Sequence, residues 1–337
     1  MELFKLKDKE RELYFNEAVH ASGIPFIIIE KDYWVVWTLE RLFSLSPLNK
    51  SLTFKGGTSL SKVYKIIERF SEDIDLSIEK DFWGFTDGKS PEAAKSRKKQ
   101  NEILEKLSNE CSKYVQGNLL RDLTENISNR LQKKSGWKLF IDPNDKDGQT
   151  LQFEYPSLGK KDHYIASSIK IELGARSEHW PVSHHSVQSY VKESLENKVV
   201  ENPIAVRVLN AERTFWEKAT ILHQYAHIPE TKKLPPRISR HFYDFCCLLK
   251  SKTKKNAVAD LKLLERVAKH KSIYFAATWA SYDTAKKGSL KLCPPSRIAK
   301  DLEDDFEAMG AMFFGKTYAW KEIIEVIEEF EADFNAI

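Results

Sequence analysis

Two aspartates separated by a single residue are the clearest chemical feature of this sequence. Asp73 and Asp75 lie in a run, residues 73–78, in which polar and apolar residues alternate. Because successive side chains of a β-strand point to opposite faces, both carboxylates would project from one face while the apolar residues enter a core. Two carboxylates at this spacing repel each other unless a cation is shared, and Mg²⁺ prefers oxygen ligands of this kind. The pattern predicts a divalent-metal site on a strand.

A glycine pair precedes the aspartates and follows a short strand predicted at residues 52–54. Gly56 and Gly57 can adopt positive φ without strain and let a ligand approach the backbone closely. Thr58 and Ser59 are favourable N-cap residues for the helical pattern that follows, and the free N–H groups at a helix start can bind an anion. The turn therefore predicts that these four residues bind the phosphates of a nucleotide beside the metal.

The two segments, residues 56–60 and 69–76, resemble the AbiEii nucleotidyltransferase family, the toxin half of abortive-infection and type IV toxin–antitoxin pairs. The run Arg-Phe-Ser-Glu-Asp-Ile-Asp-Leu is more specific than the glycine turn and Asp-x-Asp pattern of polymerase-β-like nucleotidyltransferases in general. The resemblance implies an enzyme that uses Mg²⁺ or Mn²⁺ and moves a nucleoside monophosphate from a nucleoside triphosphate, releasing pyrophosphate. It also implies a growth-inhibiting toxin with a cognate antitoxin, and a tRNA or protein hydroxyl as the acceptor.

A third acidic residue lies in a later alternating run, residues 168–173. The alternation sends three apolar side chains to the core and places Lys170 and Glu172 on the other face. Glu172 matches, in order and context, the acidic strand residue of the resembling family. Carboxylates hold the ions in two-metal phosphoryl transfer, so Asp73, Asp75 and Glu172 are predicted to be the metal ligands and catalytic residues.

Two helical segments downstream contribute a lysine and an aspartate. Residues 211–223 follow a helical period, and Lys218 lies at the rim of their apolar face, from which its ammonium would reach a cleft. Residues 240–249 form a second amphipathic pattern, with Asp244 beside the apolar stripe. By the resemblance, Lys218 contacts the nucleotide phosphates and assists catalysis, and Asp244 supports the nucleotide site.

The basic partner of Asp244 is not fixed by the sequence. Many relatives place Arg-Asp where this chain has Arg240 followed by a histidine, so either Arg237 or Arg240 could pair with Asp244. Arg69 and Glu72 flank the Asp-x-Asp run and are expected to order it through a mutual salt bridge, or else to contact substrate. Their structural role is the preferred interpretation.

Simpler interpretations stay open for several of these residues. Asp73 and Asp75 could be solvated on an exposed strand face, Lys218 could be a helix-surface lysine, and Asp244 could pair with Arg240 across one helical turn. The function has alternatives too. The chain could be a nucleotide-binding regulatory protein or antiphage sensor with little or no transferase activity, or an RNA-binding module without nucleotide chemistry.

The elements that must position these residues indicate an α/β (α+β) protein with a mixed sheet. Residues 1–208 are predicted to form a nucleotidyltransferase-like sheet domain with N-terminal helices, and 209–337 a helical C-terminal subdomain that contributes to the active cleft. Strands are expected near residues 51, 73, 138, 151 and 168, and helices at 30–45, around 60 and 103, and at 211–225, 239–250, 257–270, 299–314 and 320–334.

Composition restricts the remaining function classes. The 337 residues carry 53 basic and 49 acidic side chains, so the total charge predicts no strong nucleic-acid-binding field. The histidines lack the spacing of a zinc site, and the four cysteines, which form no C-x-x-C pair, are predicted to be free thiols. Without a signal-like start or a membrane-length apolar run, we expect a cytoplasmic protein without membrane contact. Local basic clusters could contact RNA, although solvated helix faces also explain them: residues 95–99, 133–134, 160–161, 232–233 and 250–255.

Overall fold

The computed structural model describes residues 2–71, 73–132, 136–159, 167–196, 198–315 and 317–336. Glu72 and the lysine pairs at 133–134 and 160–161 lie outside the described residues. Two compact units make up the chain. The sheet unit comprises Met1–Val63 and Phe70–Val208, and the helical unit comprises Tyr64–Arg69 and Leu209–Ile337.

Within the described residues, seven strands form one mixed sheet in the order β3-β4-β5-β2-β1-β7-β6. They are β1 (Leu52–Lys55), β2 (Ile74–Ile78), β3 (Lys138–Ile141), β4 (Thr150–Glu154), β5 (Ser168–Gly174), β6 (Val182–Val187) and β7 (Ile204–Leu209). Strand β2 is parallel to β5 and antiparallel to β1, β1 is parallel to β7, and β3, β4 and β5 form an antiparallel set. The predicted mixed α/β class is confirmed.

Two of the strands were not among those expected from the sequence. Strand β6 contains four polar residues and has a half-exposed, weakly alternating pattern, so it has little apolar signal. Strand β7 alternates buried and more exposed residues, but it is short and adjoins a long helical pattern. Tertiary pairing at one side of the sheet, rather than local hydrophobic period, specifies both strands.

Helices of the sheet unit cover the central strands. They are α1 (Asp8–Ser22), α2 (Phe26–Phe43), α3 (Gly56–Lys62), α4 (Arg97–Tyr114), α5 (Leu120–Leu131) and α6 (Tyr190–Ser194), with a π-turn at Val115–Leu119. The aromatic stripe of α2 packs on the sheet, where Trp37 stacks on Phe153 with ring centroids 5.9 Å apart. Asp32 of α2 forms a buried salt bridge with Lys62 of α3 at 2.8 Å. This contact fixes the helix that follows β1 against the core.

The helical unit is assembled around one central helix. Its helices are α7 (Ala211–Ala226), α8 (Ser239–Leu249), α9 (Thr253–Ala259), α10 (Leu261–Tyr274), α11 (Ala299–Ala308) and α12 (Trp320–Asn335). Helices α8, α9 and α10 all pack against α7. Phe215 of α7 is fully buried, with its ring centroid 4.9 Å from Phe245 and 5.8 Å from Phe330. The aromatic core holds α7 and α8 in a fixed relation.

Two of the helices expected in the helical unit differ from expectation, each for a local reason. The helix expected at 257–270 is divided into α9 and α10 at Asp260. The Asp260 side chain caps α10 because its Oδ1 atom accepts a hydrogen bond from the backbone N–H of Leu263. The helix expected at 299–314 ends at Ala308, and a 3₁₀ turn begins at Gly310.

The cysteines are free thiols, as predicted. Within the described residues, no helix combines the length and apolar character needed to cross a membrane.

Candidate active site

The parallel pairing of β2 and β5 places Asp75 directly opposite Glu172. Their strand neighbours Ile74 and Ile171 are fully buried, whereas both acidic side chains are half-buried on the other face. This is the parity predicted from the alternating sequence. The register and the shared face place the two carboxyl groups next to each other, where they can share a proton or a cation.

The ammonium of Lys170 pairs with Glu172. Its Nζ atom lies 2.5 Å from Oε1 of Glu172. Burial raises the pKa of Glu172, but the hydrogen bond and charge of Lys170 outweigh burial, and the pKa is lowered overall. Burial lowers the pKa of Lys170, and the hydrogen bond and charge of Glu172, with the charge of Asp73, raise it overall. Lys170 was not predicted as a site residue, although its strand parity with Glu172 is a signal for it.

Asp73 lies one residue before the start of β2. Within the described residues, no three Asp, Glu, His or Cys side chains converge as metal ligands. The structure therefore brings Asp75 and Glu172 together, and places Asp73 close enough for its charge to affect Lys170. A centre in which all three carboxylates hold one ion stays a prediction.

Gly56 faces Asp75 across the β1–β2 pair. It has the positive φ that the sequence predicts, +77°, and a Cβ atom added there would lie 1.9 Å from Oδ2 of Asp75. Both the backbone conformation and the close contact require glycine at this position. Gly57 lies in the first turn of α3 and is buried. The glycine turn therefore brings backbone close to an acidic side chain of the candidate site.

The expected N-cap roles of Thr58 and Ser59 are wrong. Helix α3 begins at Gly56, and its N-cap residue, Lys55, makes no side-chain cap. The Thr58 hydroxyl instead donates to the backbone carbonyl oxygen of Asp73, and the Ser59 hydroxyl donates to that of Gly56 at 2.8 Å. Since the glycine backbone starts the helix earlier than expected, both hydroxyls lie inside it, and Thr58 connects α3 to the start of β2.

The helical unit contains a buried cluster of two cations around one carboxylate. Arg69 Nε lies 2.7 Å from Asp244 Oδ1, and Lys218 Nζ lies 2.8 Å from Asp244 Oδ2. Asp244 is fully buried, Arg69 is 2% exposed and Lys218 is 6% exposed. The predicted partners of Asp244 are therefore corrected: Arg69 and Lys218 bind it. Helical spacing within α8 could not show a partner 175 residues away.

The expectation that the Lys218 ammonium extends from the rim of a helix face is also wrong, because the whole side chain is buried. Burial raises the pKa of Asp244, but the charges of Arg69 and Lys218 outweigh burial and lower it well below its usual range. Burial lowers the pKa of Lys218, and the charge of Asp244 only partly opposes this shift. The charge of Arg69 adds to the effect of burial on Lys218 and also lowers the pKa of Asp244, so both partners of this ion pair have lowered pKa values.

His241 completes this cluster on the other side of Lys218. Lys218 Nζ lies 2.9 Å from His241 Nδ1. Burial, followed by the charges of Lys218 and Arg240, lowers the pKa of His241 well below its usual value. The imidazole is therefore neutral near pH 7, and its Nδ1 atom accepts a hydrogen bond from the lysine ammonium.

The segment that carries Arg69 is anchored within the helical unit. Arg69 pairs with Phe313 in an isolated antiparallel bridge, and the backbone N–H of Phe314 donates to the carbonyl oxygen of Glu68 at 3.2 Å. The backbone N–H of Glu68 donates to the hydroxyl of Tyr243 at 3.4 Å. Along the chain this segment joins α3 to β2, so the motif that supplies the aspartates also supplies the partner of Asp244.

A comparison with known protein families agrees with the motif analysis. A family model described as nucleotidyl transferase AbiEii toxin, type IV toxin–antitoxin system, matches residues 37–332, a range that includes every candidate site residue. Among solved structures, the nucleotidyltransferase toxin MenT4 from Mycobacterium tuberculosis H37Rv matches with a TM-score of 0.47 and 14% identity, over 98% of this chain and 97% of that chain. No curated protein gave a significant match.

Proposed function

The chain belongs to the AbiEii family of nucleotidyl transferase toxins, and we propose that it transfers a nucleoside monophosphate from a nucleoside triphosphate to an RNA hydroxyl. A tRNA is the proposed acceptor, with a protein hydroxyl as the second acceptor class. Pyrophosphate is the leaving group. The observation that supports this proposal most directly is the placement of Asp75 opposite Glu172, beside the side-chain-free backbone of Gly56.

We assign the metal-binding role to Asp75 and Glu172, with Asp73 as the third ligand. The donor set fits Mg²⁺ or Mn²⁺ because it contains only carboxylate oxygens. The Lys170 ammonium, which pairs with Glu172 and has its pKa raised by Glu172 and Asp73, supports a site that favours positive charge. When bound, such an ion would neutralise charge on the phosphates and lower the pKa of the acceptor hydroxyl. Glu172, opposite Asp75 in the strand register, is also placed to take up the acceptor proton.

The proposed triphosphate site is the first turn of α3, formed by Gly56, Gly57, Thr58 and Ser59. The first N–H groups of a helix have no acceptor within the helix and can bind phosphate oxygens. The hydroxyls of Thr58 and Ser59 already donate to backbone carbonyls. Backbone N–H groups, rather than these hydroxyls, would therefore hold the phosphates.

Lys218 is proposed to bring a positive charge to the phosphates, and Asp244 to position it. Among the described residues, the Lys218 ammonium has two acceptors, Asp244 Oδ2 and His241 Nδ1. An ammonium has three N–H groups, so one stays available for a phosphate oxygen. Arg69 keeps Asp244 ionised, which keeps the lysine in one orientation.

The test is a transfer assay with the full-length chain. Each of the four ribonucleoside triphosphates, labelled at the α-phosphate, is incubated with the protein, Mg²⁺ and total RNA. Label in tRNA that is lost in an Asp75→Ala variant supports the proposal. Saturable nucleotide binding without transfer to RNA or protein would instead support a regulatory or sensor protein. Co-expression of the neighbouring gene tests for a cognate antitoxin: restored growth would indicate that its product neutralises the toxin.

A further inference from the structure

Charge in the helical unit is strongly separated along the chain. Residues 250–291 contain eleven Lys and Arg against three Asp and Glu, a formal charge of +8, whereas the whole chain carries only +4. Residues 299–337 contain three basic and eleven acidic residues, a formal charge of −8. The small net charge of the whole chain is therefore the sum of an acidic segment and a basic segment, and the basic one covers α9, α10 and the loop after them. A strongly basic segment of this kind attracts a partner of the opposite charge.

Helix α10 presents the basic residues as a row. Lys262, Arg266 and Lys269 are all exposed, and they follow one another at i, i+4 and i+7, which places them on one face of the helix. The opposite face, which includes Leu263 and Val267, is buried and packs toward α7. At 1.5 Å of rise per residue, the row extends over roughly 10 Å. The packing of the buried face of α10 therefore fixes the direction in which the basic row faces.

Exposed lysines from neighbouring elements extend this row. They are Lys252, Lys254 and Lys255 at α9, and Lys286, Lys287 and Lys291 in the loop after α10. Helix α10 packs against α9 and against the turn at Tyr282–Thr284 that leads into this loop. We call the nine residues together the α9–α10 basic surface.

Most charges of the α9–α10 basic surface are not neutralised within the protein. Across the described ranges, none of its eight lysines forms a salt bridge. On the acidic side of the same unit, by contrast, Lys300 pairs with Glu303 and Asp304. Unpaired like charges held side by side repel one another, and an external polyanion relieves that repulsion.

An exposed aromatic ring lies at the end of the same helix. Phe275 follows α10 directly, is 41% exposed, and has the ammonium of Lys271 at 4.8 Å from its ring centroid. Exposed aromatic rings beside cations are the platforms on which unpaired nucleic-acid bases stack. This feature favours a single-stranded RNA segment over an acidic protein or a lipid surface, which have no bases to stack.

We infer that the α9–α10 basic surface binds the phosphate backbone of the RNA acceptor, with Phe275 stacking on an unpaired base. The choice of RNA rests on the proposed function. The surface lies on helices that pack directly against α7, the helix that carries Lys218. An acceptor bound there is held by the same unit that holds the proposed phosphate-binding lysine.

The test measures RNA binding without nucleotide, so that it does not depend on transfer. A fluorescein-labelled 20-nucleotide single-stranded RNA of mixed sequence is titrated with the full chain over a salt series. We expect the triple variant Lys262→Gln, Arg266→Gln, Lys269→Gln to bind about 10- to 100-fold more weakly at 0.1 M salt. Its log–log salt slope should be smaller by about 2, since each single-strand phosphate contact contributes roughly 0.7.

A charge-matched triple in the sheet unit, Lys9→Gln, Lys50→Gln, Lys106→Gln, is the control, since all three residues are exposed and lie outside the basic clusters of the sequence. It should bind RNA like the parent chain, and Phe275→Ala should weaken binding without changing the salt slope. Equal losses in the two triples, no RNA binding by the parent chain, or equal competition by polyglutamate or anionic vesicles would each overturn the inference. The Asp75→Ala variant distinguishes this inference from the proposed function: transfer should be lost while RNA affinity is unchanged, so either proposal can fail without the other.

Discussion

Arg69 and Asp244 are separated by 175 residues, yet the Arg69 guanidinium binds both carboxylate oxygens of Asp244, at 2.7 and 2.8 Å. This bidentate geometry is the strong form of a charged hydrogen bond, and it is fully buried here. Lys218 binds the same carboxylate. The orientation of the proposed phosphate-binding lysine therefore depends on an arginine that lies close in sequence to the aspartates proposed to bind metal.

Replacing Arg69 tests this dependence. In Arg69→Met, the buried Asp244 keeps only one of its two cations, so we expect a loss of about 3–5 kcal/mol in the free energy of unfolding. Arg69→Lys keeps the charge but not the bidentate geometry, and should recover part of the stability and of the transfer rate. Chemical denaturation and single-turnover transfer measure the two effects. Arg121→Met, at an exposed arginine, should change stability by less than about 1 kcal/mol.

Gly56→Ala tests the close approach of the glycine turn to the acidic pair. Gly84 has a similar φ, +73°, with no atom within 4 Å of an added Cβ, so Gly84→Ala measures the backbone effect alone, about 1 kcal/mol. In Gly56→Ala the new Cβ must also displace the Asp75 carboxylate, because they would be 1.9 Å apart. We expect at least twice the loss of stability, and a transfer rate reduced by about 10²-fold. Equal behaviour of the two variants would argue against this contact.

Asp75→Asn tests whether the acidic pair acts in chemistry. The change keeps the shape of the side chain and removes its charge, so we expect transfer to fall by roughly 10³-fold, because several kcal/mol of charge stabilisation are lost. Thermal unfolding should show a stability equal to or above that of the parent chain, since Asp75 and Glu172 repel each other when both are ionised. Asp81→Asn, at an exposed aspartate shortly after β2, is the matched control and should transfer normally.

The buried Lys218 predicts an unusual pH dependence. Burial lowers its pKa and the charge of Asp244 partly opposes the shift. If the ammonium is required, transfer is full below this folded pKa and is lost as the pH rises through it, below the ordinary lysine value of about 10.4. Between these two values the unfolded chain binds more protons, so the contribution of Lys218 to stability rises with pH. Falling activity with rising stability distinguishes lysine deprotonation from unfolding.

A neighbouring charge provides the control for this pH profile. The positive charge of Arg240 contributes to the lowered pKa of Lys218. Arg240→Gln should therefore move the alkaline loss of transfer to higher pH without altering the activity plateau. Initial rates from pH 7 to 11 measure the shift. A parent profile that stays flat up to about pH 10.4 would contradict a catalytic role for the buried ammonium.

Several features of the site could be predicted because they depend on residues close together in the chain. Alternation in residues 73–78 and 168–173 placed Asp75 and Glu172 on the polar face of their strands, since strand geometry repeats every two residues. Positive φ at Gly56 followed from the glycine itself. The predicted cap roles of Thr58 and Ser59 were wrong because helix starts depend on a few competing hydrogen bonds. Here the Thr58 hydroxyl donates to the backbone carbonyl oxygen of Asp73, just before β2.

By itself, the sequence determined the family, the mixed α/β class and the strand parity of the acidic residues. Only the tertiary structure decided that β5 lies beside β2 in the register that pairs Asp75 with Glu172, and that Asp244 binds Arg69 rather than Arg237 or Arg240. Parity and glycine conformation follow from covalent geometry over a few residues. Register and buried ion pairing depend on how distant segments pack, where desolvation makes one partner far more favourable than its local competitors.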